Sequence, residues 1–125
     1  MGVVKSGETY AAKSARAVSR ISDLLYDALC DGTLSIVDRT AETFLKENAN
    51  NIFAISPELD EYGIRVNFHF PKPKNYKNRT VTSLQISGTF ADKSSVTRHS
   101  LSLLARVNDA IKNPAEPIKE VQRSQ

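Results

Sequence analysis

The densest chemistry in the chain lies in nine consecutive residues, Pro71-Lys72-Pro73-Lys74-Asn75-Tyr76-Lys77-Asn78-Arg79. They hold four cations, one aromatic ring and no acid. A lysine or arginine can neutralise a phosphate and release its condensed counterion, and a ring among them can stack on an unpaired base. The two prolines fix φ and favour an extended path, which suits a segment tracking a phosphate backbone. This pattern points to nucleic-acid contact through Lys72, Lys74, Tyr76, Lys77 and Arg79. An acidic protein surface offers the same complementarity and is the alternative partner. The plain reading is a solvated loop whose lysines keep a sheet edge from pairing.

Two other groups could widen that footprint. Lys13, Arg16 and Arg20 recur at steps of three and four, so they share one helix face near the end whose dipole favours anions. Arg65, Asn67 and His69 alternate along one strand, and Gln85 and Ser87 along another, which offers hydrogen bonds to phosphates or base edges. The formal net charge of +3 conceals strong segregation. Residues 22–61 hold nine acids against two cations, whereas residues 62–91 hold five cations and no acid. Such opposed patches steer partners, and they could also bring copies of the chain together.

Catalytic patterns are missing. There are two histidines and one cysteine, with no HExxH, no cysteine pair and no Gly-rich phosphate loop. Asp23, Asp27 and Asp31 repeat at four-residue steps, which marks a solvated helix edge and not a calcium loop. The expectation is a non-enzymatic binding protein with no metal and no cofactor. Cys30, with Leu29 and Leu25 as neighbours, reads as a small core residue.

The elements that must position these residues follow from periodicity. Tyr10, Ala17, Val18, Ile21, Leu24, Leu25, Ala28 and Leu29 recur at helical steps, which predicts a helix over 9–30 that stops at Gly32. Ile36, Val37, Thr40, Ala41, Phe44, Leu45 and Ala49 fit a second helix, and the short connection predicts an antiparallel helical hairpin. The apolar run 52–55, ended by Pro57, is a candidate third strand. Strict alternation from Ile64 to Phe70 predicts a strand stopped by Pro71 and Pro73, and a second strand covers 79–90. They would form a hairpin joined by the long connection 71–78. Gly88 suggests a bulge or close packing against a helix. Asp92, Ser94 and Ser95 can cap a last helix, which Pro114 ends.

The 125 residues suit one domain. The expected fold class is α+β: a helical hairpin, a long antiparallel β-hairpin with a possible third strand, and a C-terminal helix packed on one face of the sheet. Residues 1–8 are expected to be a flexible lead-in, 9–113 the domain, and 114–125 a loose polar tail. A two-stranded sheet is marginal alone, which favours a homo-oligomer. No apolar stretch approaches the roughly 20 residues that span a bilayer, so the expected location is cytoplasmic, without membrane contact.

Overall fold

The computed structural model describes residues 3–113, so the expected polar tail 114–125 lies outside the described residues. The fold is α+β. In chain order the elements are α1 (Val3–Cys30), β1 (Leu34–Asp38), α2 (Glu42–Glu47), a single 3₁₀ turn (Ala49–Asn51), β2 (Ala54–Leu59), β3 (Gly63–Tyr76), β4 (Arg79–Phe90) and α3 (Lys93–Lys112). The strands make one antiparallel sheet in the order β1-β4-β3-β2.

Alternation decides which sheet face is covered. Ile64, Val66, Phe68 and Phe70 of β3 are buried, as are Ile86 and Phe90 of β4. Their strand neighbours Arg65, Asn67 and His69 stay half-exposed on the other face. Against the apolar face lies the α1 stripe Ala17, Val18, Ile21, Leu25 and Ala28, joined by Leu103, Val107 and Ala110 of α3. Two polar groups interrupt that stripe: the Ser14 and Ser22 hydroxyls are buried, and neither finds a hydrogen-bond partner among the described residues. At the head of α3, Asp92 Oδ1 accepts a 2.7 Å hydrogen bond from the Ser95 amide, the cap expected from the sequence.

The sequence reading needs four corrections. The predicted second helix survives only as the short α2, which packs on α1; its first part is strand β1. Ile36 and Val37 are β-branched and fit a pleated surface, and β4 offers them an unpaired edge, so tertiary pairing overrides the helical spacing. Pro57 does not end the third strand but sits inside β2, opposite Val66. There β2 is an edge strand, where a missing N–H directed to solvent breaks no ladder. Pro71 and Pro73 do not stop β3 either. The register of β3 and β4 shifts between His69 and Lys74, so the ladder asks neither proline for a donor. Finally, Cys30 is exposed, because the last residue of α1 rolls off the core after Ala28.

Among the described residues, four strands and three helices close a core within one chain, so the marginal two-stranded sheet that favoured an oligomer does not arise. No helix of the described residues is long and apolar enough to cross a membrane.

Candidate nucleic-acid interface

β1 pairs with residues 87–90 of β4, and β2 pairs with residues 64–69 of β3. Beyond those limits β3 and β4 continue alone as a two-stranded ribbon over 70–83, with Lys74 opposite Val81, Asn75 opposite Thr80 and Tyr76 opposite Arg79. The expected eight-residue loop is therefore strand, and the connection shrinks to Lys77-Asn78. Both residues have positive φ, 50° and 64°. That pair defines a type I′ turn, whose twist matches the flanking strands. Asparagine tolerates this region, whereas at Lys77 it costs about 1–2 kcal/mol.

The ribbon is held down at its tip. The Tyr76 hydroxyl donates to the Thr40 carbonyl at 3.1 Å, and its ring meets Phe44 of α2 edge-on at 5.0 Å. Phe44 in turn meets Phe70 at 6.2 Å. The Lys77 ammonium lies over the Tyr76 ring, 5.3 Å from its centre. Tyr76 thus serves as an anchor, with its ring engaged by Phe44 and Lys77 and its hydroxyl by Thr40.

The ribbon cations are presented to solvent. Lys72, Lys77 and Arg79 are exposed and Lys74 is half-buried. Among the described residues, none of the four takes part in an ion pair within 4.0 Å. Lys77 acts electrostatically on Asp38 at the end of β1. Its carboxyl is held below the usual range mainly by the Thr40 amide, then by the Thr40 side chain, with a smaller contribution from Lys77.

The other predicted residues are placed differently. Arg65 shares the uncovered sheet face with Asn67, Gln85 and Ser87; Arg65 pairs with Ser87 and Asn67 with Gln85. Its guanidinium is already neutralised by Asp60 at 3.0 Å and Glu58 at 3.4 Å. Arg16 is exposed and Arg20 half-buried on α1; the Lys13 side chain lies outside the described ones. Among the described residues no hydrogen bond or ion pair links Arg16 or Arg20 to the ribbon. Asp23, Asp27 and Asp31 are exposed, with Asp31 bonded to Thr33.

Sequence reasoning missed three features. The Ser56 hydroxyl lies 2.8 Å from His69 Nε2 on the uncovered face, a contact that only the β2–β3 register reveals. Glu42 of α2 is clamped by Arg39 and Lys46 at 2.9 and 2.8 Å; partial burial raises its pKa, and the two cations outweigh that and hold it low. Arg39 also caps the Tyr26 ring at 5.2 Å. The spacing of Arg39, Glu42 and Lys46 carried the signal for this network, because those steps face one another on a helical turn.

Fold and site together define an antiparallel α+β protein with helices on one sheet face and a basic two-stranded ribbon beyond the sheet. The chain matches no family model, no curated protein and no solved structure.

Proposed function

We propose that the protein is a non-enzymatic nucleic-acid-binding protein whose β3–β4 ribbon contacts phosphates through Lys72, Lys74, Lys77 and Arg79. One observation carries the reading. The four cations ride on a paired ribbon that outruns both neighbouring strands, and they have no ion-pair partner among the described residues. Unpaired cations on an ordered platform give phosphates their charge without first breaking an internal salt bridge. We further propose that copies associate through the outer edge of β1, where Ile36 is 62% exposed. A lone cysteine and a nucleic-acid partner suit the cytoplasm.

Fluorescence anisotropy with labelled nucleic acids across a salt series tests the reading. Four phosphate contacts predict a slope of log K against log[salt] of about −3.6. Charge reversal by Lys74→Glu with Lys77→Glu should abolish binding while the circular dichroism spectrum persists. No binding at about 50 mM salt would overturn the reading and turn the search to an acidic protein surface.

A further inference from the structure

Resting on the reading above, we propose that the ribbon's partner is double-stranded B-form DNA and that the ribbon enters its major groove. The first support is the state of Tyr76. Binding to a single strand relies on free rings on which bases stack. Tyr76 is the sole aromatic residue between Pro71 and Ser83. Its ring is engaged by Phe44 and Lys77, and its hydroxyl by Thr40. Phe70, at the ribbon's foot, is 4% exposed. The ribbon therefore offers cations without a stacking platform.

The second support is size. Paired strands lie about 4.8 Å apart, and with side chains they match a B-DNA major groove about 12 Å wide. From Phe70 to Tyr76 the ribbon reaches roughly 20 Å at about 3.3 Å per residue. An A-form RNA duplex has a deep, narrow major groove that would exclude it.

The third support is what stands between the cations. Asn75 and Thr80 are exposed and face each other across the two strands. An amide and a hydroxyl of this kind read base edges, while Lys74 and Arg79, at the alternate positions on the other pleat face, are left for the flanking phosphates.

The test is anisotropy with the full chain at about 100 mM salt and three probes: a short DNA duplex, an RNA duplex of the same sequence, and one DNA strand alone. The DNA duplex should bind at least about tenfold more tightly than either of the others. Lys74→Gln with Lys77→Gln should lower the salt slope from about −3.6 to about −1.8 without reversing any charge. Equal affinity for the two duplexes would overturn the groove assignment and leave the broader reading standing. So would tighter binding of the single strand that is lost in Phe53→Ala, since Phe53 is 58% exposed beside His69 near the ribbon's foot. If no probe binds, or the salt slope ignores the glutamine variant, both the inference and the ribbon reading fall.

Discussion

Replacing Gly63 by alanine should damage the sheet far more than replacing Gly88, although the two sit on facing strands at the same end of the β3–β4 ladder. A Cβ at Gly63 would lie 2.0 Å from the Gly88 carbonyl oxygen and 2.9 Å from Thr89 Cα, both backbone atoms. Relief requires β3 to draw away from β4 beside the Ile64–Gly88 pair. A Cβ at Gly88 would meet Leu34 Cδ1 at 2.5 Å, and the other near contacts are at 3.4 Å. That methyl is the end of a side chain, which gives more readily than backbone, although Leu34 is itself buried. Overpacking costs about 1–3 kcal/mol, so Gly88→Ala belongs at the lower end and Gly63→Ala at or above the upper end. Urea unfolding at constant m gives both values. Leu34→Val removes Cδ1, so combining it with Gly88→Ala should recover at least about 0.5 kcal/mol relative to the sum of the single variants. It should recover nothing for Gly63→Ala. Equal costs at the two glycines, or no coupling to Leu34, would refute this account of why small residues stand there.

Four other outcomes are expected. Ser22→Ala should raise stability by about 1 kcal/mol, because it removes a buried hydroxyl without a partner and improves helix propensity; the urea midpoint reports it. Tyr76→Phe removes the bond to Thr40 and should speed amide exchange in residues 71–82 while leaving the melting temperature nearly unchanged. Asp38 and Asp60 are held below their ordinary values mainly by backbone amides of Thr40 and of Tyr62 and Gly63, and Asp92 by that of Ser95. Their stabilisation is complete above the unfolded carboxylate value and is lost as pH falls through the lower folded values, so melting temperature should be level above about pH 5 and decline below about pH 4. Sedimentation velocity should show a dimer that Ile36→Lys converts to monomer; unchanged mass would count against association through β1.

The legible parts of the fold were those with long, regular spacing. The α1 stripe from Ala17 to Ala28 repeats over several turns, and β4 was readable from Arg79 to Phe90, both bounds included. Segments decided by neighbours distant in sequence were not legible. Leu34-Ser35-Ile36-Val37 fits a helix or a strand until β4 offers an edge. Prolines read as terminators became interior residues because one lies on an edge strand and two lie in a register shift. At the candidate site the cations were visible as composition. The roles of Tyr76 as anchor and Arg65 as a compensated charge depend on Thr40, Phe44, Glu58 and Asp60, whose proximity no local pattern encodes.

The two borders of the sheet are unlike, and this limits how many copies can join. A strand added to β2 would meet Pro57, which offers no donor at the middle of that border. A strand added to β1 meets no proline between Leu34 and Asp38. Strand-on-strand growth needs two receptive borders to continue, and of the two outer strands of the sheet only β1 lacks a proline. Two copies joined β1 to β1 would carry Pro57 on both outer β2 strands, so growth through the body of the sheet would stop at two.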